Sequence, residues 1–461
     1  HLQPMVPDLL RFTLTVSANT ALEASLRQHA LYFIEFIIEN KPKSFLANVN
    51  LQDVIHLCFL VMTESDEEDD EENSLRMYGS QIIDVLALEI PSKYVWQPIM
   101  ERVVQYIQSP RAVERRAAIV AVTVISEGCA DRVEENFEQI IPWILAGLKD
   151  ERQVRQSALV AVSEIAKNLS DALGPYHEVL VPLLLQATTD QADIICIKAY
   201  YAISHYIACD PEALLPHLDV LLKHLMSGLN HENMEVKELA LNALSSAVSM
   251  AGKKFDPYFP ETISVMKDWM KIVEPNSLFI RNQATECVAM LAGAVSREIF
   301  LPHFKEVVST TMTGLESIDD AEMREFIYRF FEQLARVYAE ELSPYYPQLM
   351  PYLLASCQSS DGLVYQNEGD GFNLFPDEDP ETPPVNQEVT FRILSSYMDE
   401  KVAAASCLGW LIAENSEAAA SYLEASINIL ISLSTFTLYS PVASTAIVAV
   451  VQSVSGMMSL L

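Results

Sequence analysis

The chain has 461 residues, half of them apolar and only 13 of them glycine, which favours a helical protein and excludes disorder over most of its length. With 63 acidic against 30 basic residues, its formal net charge is −33, so it should repel nucleic acids and anionic membranes and attract basic proteins. The simpler interpretation of the charge is solubility alone. Seven cysteines without a CxxC pair indicate reduced thiols in a cytosolic or nuclear protein.

A proline recurs early in successive apolar helical stretches. The markers are Pro98, Pro142, Pro182, Pro216, Pro260, Pro302 and Pro347. A spacing of roughly 40 residues is typical of two-helix HEAT repeats, which stack into a solenoid. We therefore predict an all-α fold without a sheet, an α-solenoid of about ten HEAT repeats and about twenty helices forming a superhelical arch.

Each repeat should contain an outer helix A, with its proline near the first turns, followed by an inner helix B. Helix B is clearest in residues 151–169, where one face is apolar. That face carries Val154, Ala158, Ala161, Val162, Ile165 and Leu169. The predicted repeats span residues 3–41, 51–91, 92–130, 133–171, 174–209, 212–253, 256–299, 300–340, 343–415 and 417–461.

Two insertions interrupt this pattern, each between the helices of one repeat. Residues 64–73, ESDEEDDEEN, are almost entirely acidic and should be disordered because like charges repel. Residues 358–388 are rich in Gly, Pro, Asp and Asn, which also predicts a loop. Tyr365, Phe372 and Phe375 within this second insertion suggest that part of it docks on the solenoid.

Both ends of the chain lie in apolar helical sequence, HLQPMVPDLL at the start and SGMMSLL at the end. A solenoid needs polar terminal repeats to shield its core from water. We therefore expect the chain to be an internal segment of a longer protein. The last apolar stretch contains serines, a threonine and a glutamine, which fit a solenoid helix better than a membrane span.

No catalytic motif is present in the sequence. It lacks GxxxxGK[ST], HExxH, GxSxG and GxGxxG, and its nine histidines are dispersed. His217 and His224 are seven residues apart but have no carboxylate at ligand spacing. We therefore expect no enzymatic activity, no cofactor and no metal site.

The remaining candidate is a ladder of polar side chains on the inner helices. In register these are Glu127, Glu164, His205, Ser246, Glu286, Gln333 and Trp410, with Asn242, Ser245, Ser249, Met290 and Glu332 beside them. Such a ladder fits an extended basic peptide: amides and hydroxyls bind its backbone, carboxylates its lysine ammoniums, and aromatic rings its lysine stems. The alternative is that these residues are ordinary solvated helix faces.

Several stretches resemble the importin-β superfamily, the karyopherin-β nuclear transport receptors. They include SEGCADRVEENFEQIIPWILAGLKD at residues 126–150, TECVAMLAGAVSREIF at 285–300 and YMDEKVAAASCLGWLIAENSEAAASYLEASINIL at 397–430. The resemblance covers nearly the whole chain. It is strongest to the receptors that carry histones and ribosomal proteins without an adaptor.

The resemblance implies a monomeric import receptor that shuttles between cytoplasm and nucleus. Lysine-rich localisation signals would bind its acidic concave face and FG-repeat nucleoporins its convex face. In the full-length protein, the small GTPase Ran in its GTP form would release the cargo. Nucleic acids and membranes would not be direct partners. The alternatives are a HEAT scaffold similar to a phosphatase scaffolding subunit, which the long insertions oppose, and a histone chaperone.

Overall fold

The computed structural model describes residues 5–64, 74–209, 211–361, 363–366 and 390–458. Most of the first insertion, residues 65–73, and most of the second, residues 367–389, lie outside the described residues, so the predictions for them stay predictions. The chain divides into two compact units, His1–Met250 and Ala251–Leu461.

The described residues of the first unit form helices joined by short turns and loops. Its α-helices are α1 (Val6–Ala18), α2 (Ala24–Asn40), α3 (Pro42–Asn48), α4 (Leu51–Met62), α5 (Leu75–Glu89), α6 (Ser92–Ile107), α7 (Ala112–Gly128), α8 (Ala130–Glu135), α9 (Phe137–Gly147), α10 (Arg152–Asn168), α11 (Ser170–Leu173), α12 (His177–Ala187), α13 (Asp193–Cys209), α14 (Pro211–Leu214), α15 (Leu218–Leu229) and α16 (Met234–Ala251). Short 3₁₀ turns occupy Gly174–Tyr176 and Leu215–His217.

The second unit continues the same alternation. Its elements are α17 (Phe259–Trp269), α18 (Leu278–Ala294), α19 (Arg297–Ser317), α20 (Ala321–Leu342), α21 (Tyr346–Gln358), β1 (Leu363–Gln366), β2 (Thr390–Ile393), α22 (Ser395–Glu414), α23 (Ser416–Ala419), α24 (Leu423–Leu433) and α25 (Ser440–Met458). Its 3₁₀ segments are Gly252–Tyr258, Pro275–Ser277, Ser343–Tyr345 and Ala420–Tyr422.

The helices form pairs that follow the predicted repeats. The helix pairs match the predicted ranges, except that α19 starts before its range, at Arg297, and α20 ends after it, at Leu342. The inner helices are α2, α5, α7, α10, α13 and α16 in the first unit and α18, α20, α22 and α25 in the second. Successive inner helices pack side by side from α2 to α13 and from α18 to α25. The predicted all-α solenoid is confirmed as a fold class.

The apolar face predicted for α10 forms core. All six residues of that face are at most 8% exposed. Two of the marker prolines, Pro260 and Pro347, stand in the first turn of α17 and α21, where the missing N–H group is tolerated. Four others lie further inside the outer helices: Pro98, Pro142, Pro182 and Pro302. The apolar periodicity therefore locates the inner helices, and the prolines mark the outer ones.

Arginines of two inner helices bind the turn of the following repeat. Arg115 on α7 donates two hydrogen bonds to the Asp150 carboxylate, both 2.7 Å. Arg155 on α10 pairs with Asp190 at 2.8 Å. The hydrogen bonds from Arg115 hold the pKa of Asp150 below its usual value. These half-buried pairs fix the register between neighbouring repeats, because each joins an inner helix to the turn between the two helices of the next repeat.

The strands β1 and β2 differ from the prediction of no sheet. They form an antiparallel pair in which Leu363 lies opposite Ile393 and Gln366 opposite Thr390. The pair lies at the two ends of the second insertion, between α21 and α22, which pack against each other. Because the insertion leaves and re-enters the solenoid at neighbouring points, its two ends run side by side and their backbones can pair.

Within the described residues, α25 is the one helix with the length and apolar composition of a membrane span, and α3 with α4 would match if their 98° bend were ignored. In the structure α25 packs on α22 and α24. Val442, Ala446 and Ala449 of α25 are buried in that contact. This packing agrees with the predicted role of α25 as the inner helix of the last repeat.

Candidate peptide-binding surface

Three carboxylates on consecutive inner helices of the first unit form an acidic column: Glu35 on α2, Asp84 on α5 and Glu127 on α7. Burial and the charge of Glu127 raise the pKa of Asp84 to about 6. Burial, with the charges of Glu39 and Asp84, raises the pKa of Glu35. This mutual repulsion means that the column concentrates negative potential at one place on the unit.

Of this acidic column, sequence reasoning identified Glu127 alone. Asp84 precedes Glu127 by one repeat period, about 40 residues, so the spacing could have located it. Glu35 precedes Asp84 by more than one repeat period because the first insertion lies between them. The repeat spacing alone therefore does not align Glu35 with Asp84. The acidic column therefore includes two inner helices, α2 and α5, that the predicted ladder did not include.

Glu164 on α10 is already occupied by a cation of the chain. Its carboxylate accepts a hydrogen bond from Lys167 Nζ at 2.8 Å, and the same ammonium donates to the Tyr201 hydroxyl on α13 at 2.9 Å. Burial alone would lower the pKa of Lys167, but its bonds to Glu164 and Tyr201 raise it overall. The imidazole of His205 lies 4.3 Å from the Tyr201 ring, centroid to centroid. A ligand ammonium would therefore have to compete with Lys167.

The predicted amide and hydroxyl positions lie where α13 meets α16. Ser204 Oγ donates to Asn242 Oδ1 at 3.0 Å and lies 3.3 Å from Ser246 Oγ. Asn242 and Ser249 are exposed. Ser245 is a correction to the ladder: it is 9% exposed, and its hydroxyl donates to the carbonyl of Leu241, the preceding turn of its own helix. Ser245 lies on the face of α16 that packs into the core, so its hydroxyl is not accessible to a ligand.

Four of the five predicted residues of the second unit line one cleft of about 310 Å³, and the fifth, Trp410, is not part of its lining. The cleft lies between α18, α20, α22 and α25. Its lining includes Glu286, Ala289, Met290, Arg329, Phe330, Glu332, Gln333, Arg336, Val402, Ala403, Ser406 and Thr445. Glu286, Met290, Glu332 and Gln333 are thus neighbours in one cleft, which they share with two arginines that the prediction did not include.

The charges in this cleft are mixed. Burial raises the pKa of Glu286, an effect that the nearby Arg329 opposes. Arg336 bonds to Glu332, and its guanidinium carbon lies 4.1 Å from the centroid of the Trp410 ring. The aromatic face predicted to cover a lysine stem is therefore covered by Arg336.

The structure thus places the ladder residues in two groups, one in each unit. The group from Glu127 to Ser249 lies on α7, α10, α13 and α16, and the group from Glu286 to Trp410 lies on α18, α20 and α22. In the part of the chain that the structure describes, no group of three histidine, cysteine or carboxylate side chains could hold a metal ion. Both groups contain carboxylate and amide side chains, which are the groups that hydrogen-bond ammonium ions and peptide backbone.

Comparison with known proteins supports the predicted resemblance at the level of sequence. The family model described as importin subunit beta-1-like, TPR repeats, matches residues 112–279. Importin subunit beta-3 of Saccharomyces cerevisiae is 25% identical over 425 residues, which is 87% of this chain and 38% of the relative. Importin-4 of Homo sapiens is 25% identical over 403 residues, covering 81% of this chain and 36% of the relative. The chain therefore spans a little more than a third of these relatives.

A comparison of folds also finds a nuclear transport receptor of this kind. The crystal structure of Kap121p superposes with a TM-score of 0.83 and 23% sequence identity, covering 99% of this chain and 46% of that protein. At this level of identity the superposition shows the fold alone. Together, the family model, the relatives and the fold confirm the predicted resemblance of this chain to the importin-β superfamily of nuclear transport receptors.

Proposed function

We propose that this chain is the cargo-binding segment of a nuclear import receptor and that it recognises lysine-rich localisation signals, such as those of histones or ribosomal proteins. The observation that carries the proposal is the acidic column of Glu35, Asp84 and Glu127. Within the described part of the chain, none of these three carboxylates forms an ion pair. Besides burial, the charge of Glu127 raises the pKa of Asp84, and the charges of Glu39 and Asp84 raise the pKa of Glu35.

A lysine ammonium would relieve this repulsion. Placed between Asp84 and Glu127, it would interact favourably with both carboxylates and donate charge-assisted hydrogen bonds to them. The net charge of −33 would also steer a basic ligand toward the protein from a distance. A phosphate-rich ligand would be repelled both at long range, by the net charge, and on contact, by the carboxylates of the column. The surface therefore favours basic proteins over nucleic acids.

The structural neighbour Kap121p has been crystallised bound to Pho4p and bound to Nup53p. By analogy, we propose that cargo and nucleoporins are the partner classes of this chain too. We further propose that the full-length protein shuttles between cytoplasm and nucleus and releases its cargo on binding Ran in its GTP form. The function is transport and requires no catalysis.

Fluorescence anisotropy with a labelled lysine-rich histone-tail peptide tests this proposal. The double variant Asp84→Asn/Glu127→Gln should bind more weakly by about 1–3 kcal/mol, the range for charge-assisted hydrogen bonds. The control Glu134→Gln/Glu138→Gln makes the same change in charge at exposed positions of α8 and α9. Equal affinity of the two double variants would show that only net charge matters and would refute a site at the column.

The ladder prediction is proposed separately. We propose that Glu164 and Glu286 bind lysines of the signal and that Asn242 and Ser249 contact its backbone. Replacing both acids by alanine should weaken binding by about 1–3 kcal/mol and leave the helical circular dichroism unchanged. If this variant binds the peptide as tightly as the parent chain, the two acids belong to a solvated face and the signal binds elsewhere.

A further inference from the structure

Two places on the inner helices have the same composition: a carboxylate, an aromatic ring on the next inner helix, and a cation of the chain held by both. We call them cation cages. The first consists of Glu164 and Lys167 on α10 and Tyr201 on α13. The ammonium lies 2.8 Å from the carboxylate oxygen of Glu164, 2.9 Å from the Tyr201 hydroxyl and 5.0 Å from the centroid of its ring.

The second cation cage lies in the other unit. It consists of Glu332 and Arg336 on α20 and Trp410 on α22. The Arg336 guanidinium bonds to Glu332 and stacks 4.1 Å above the Trp410 ring. In both cages the acid and the cation are one helical turn apart, and the ring comes from the inner helix of the following repeat.

We propose that each cation cage is a subsite for a lysine or arginine side chain of a partner protein, and that Lys167 and Arg336 are placeholders that the partner displaces. This inference rests on the proposed function and adds to it the residue Tyr201, together with competition from Lys167 and Arg336 for the two subsites. A carboxylate and an aromatic face are the two groups that together bind the head and the stem of a basic side chain. The cages already hold such a cation, which shows that their geometry accepts one.

The placeholders are held weakly enough to leave. The Lys167 side chain is 34% exposed and that of Arg336 is 40% exposed, and exposed ion pairs contribute little to stability. Arg297 is similarly exposed, at 44%, and pairs with Glu341, but its other contacts differ from those of the placeholders. Arg297 also lies over a ring, that of Tyr338, but the ring is 1% exposed and Arg297 donates to the carbonyl of Val337 as well. Displacement from the cages leaves the acid and the ring paired, because the partner's cation takes over both contacts.

A placeholder lowers the apparent affinity, because the ligand binds only the fraction of molecules whose cage is open. Removing the placeholder should therefore strengthen binding. The test is anisotropy with the labelled lysine-rich peptide at 150 mM NaCl. We expect Lys167→Met to bind about 3–10-fold more tightly than the parent chain, and Arg336→Met to give an independent gain of the same sign.

The control is Lys271→Met, which makes the same change in net charge. Lys271 pairs with Asp268 at 3.7 Å, also three residues apart, but its side chain is 54% exposed and it lies just after the outer helix α17. Lys271→Met should leave the affinity within about two-fold, since one exposed charge is largely screened at this salt concentration. An equal gain in affinity from Lys271→Met would refute the proposal that the cation cages are subsites.

A second experiment, in the Tyr201→Leu variant, tests the role of the Tyr201 ring. In Tyr201→Leu the gain from Lys167→Met should vanish, because the stem of the incoming lysine has lost its aromatic contact. If the parent chain binds the peptide but Lys167→Met and Arg336→Met bind no more tightly, the placeholders are structural and the cages are refuted while the proposed function stands. If the parent chain does not bind the peptide at all, the proposed function fails and the inference fails with it.

Discussion

Glu400 is a buried carboxylate with a complete set of donors. It accepts hydrogen bonds from Arg324 at 2.8 and 2.9 Å and from the hydroxyl of Ser356, and its side chain is 6% exposed. Glu400→Ala should reduce the free energy of unfolding by about 3 kcal/mol, because it leaves the Arg324 guanidinium buried without its main partner. Urea denaturation measures the loss.

The control for Glu400 is the exposed pair of Arg132 and Glu135, whose side chains are 44% and 61% exposed. Glu135→Ala should cost less than about 1 kcal/mol. Similar losses for the two variants would mean that burial does not set the strength of these pairs, which would contradict the interpretation of Glu400 as a structural residue.

Asp84 predicts a stability that depends on pH. Its pKa of about 6 in the folded protein exceeds the model-compound value of 3.8, so the folded state binds more protons between these values and its stability falls as the pH rises through that window. Asp84→Asn removes this penalty. The variant should be more stable than the parent by about 1 kcal/mol at pH 7.5, allowing for solvent screening, and the difference should shrink toward pH 5.

Thermal unfolding at pH 7.5 and pH 5 checks the Asp84 prediction. Asp53→Asn, at an exposed position on α4, is the control and should show no such pH-dependent difference. A parent and an Asp84→Asn variant with equal melting temperatures at pH 7.5 would indicate that the acidic column is solvated and uncoupled. That result would also weaken the case for a lysine site there.

For individual residues, the sequence predicts contacts within one helix but not contacts between neighbouring repeats. The spacing of Glu164 and Lys167, three residues apart on a helix, permits an ion pair, but nothing local indicates that Tyr201 shares the ammonium. That contact depends on how α13 is rotated and shifted against α10. Contacts within a helix follow from periodicity, whereas contacts between repeats need the packing register, which the sequence does not encode at any one position.

Packing between inner helices depends on close approach at glycine. At Gly128, the last residue of α7, a Cβ atom would lie 2.4 Å from the carbonyl carbon and oxygen of Ala87 on α5. Gly128→Ala should therefore push α5 and α7 apart and cost about 1–3 kcal/mol. A lower urea midpoint, with the helical circular dichroism unchanged, is the expected result.

Gly174 provides the matched control for Gly128. A Cβ atom there would meet nothing within 4 Å, and its backbone is helical, with φ of −48° and ψ of −46°. Gly174→Ala should be stabilising by about 0.4–1 kcal/mol, because alanine restricts the unfolded chain. A loss of stability in both variants would show that the close approach of α5 and α7 is not what constrains Gly128.

The elements were largely predictable because two signals agree for each repeat. Apolar periodicity identifies the inner helix, and an early proline identifies the outer one. The strands β1 and β2 were not predictable in this way. Their pairing follows from the packing of α21 on α22, which brings the ends of the second insertion together. Thr390–Ile393 alternates polar and apolar residues over only four positions, and Leu363–Gln366 does not alternate, so the sequence does not indicate a strand pair.

At the scale of the whole molecule, the excess of 33 negative charges sets how a basic ligand is bound. Long-range attraction is screened over about 10 Å at 0.1 M salt and over about 3 Å at 1 M. The affinity for the lysine-rich peptide should therefore fall by about an order of magnitude between 50 and 500 mM NaCl. Anisotropy titrations across this range give the slope of affinity against salt.

The salt dependence has two sources, ion pairs at the acidic column and long-range attraction by the net charge, and two double variants separate them. Asp84→Asn/Glu127→Gln removes two carboxylates at the proposed site, whereas Glu134→Gln/Glu138→Gln removes two elsewhere, so the net charge is equal. If lysines bind the acidic column directly, the first variant should show the shallower slope, because fewer ion pairs form on binding and fewer are screened. Equal slopes would assign the attraction to net charge alone. An affinity that does not change with salt would instead indicate an apolar groove as the binding site, since burial of apolar surface is not weakened by screening.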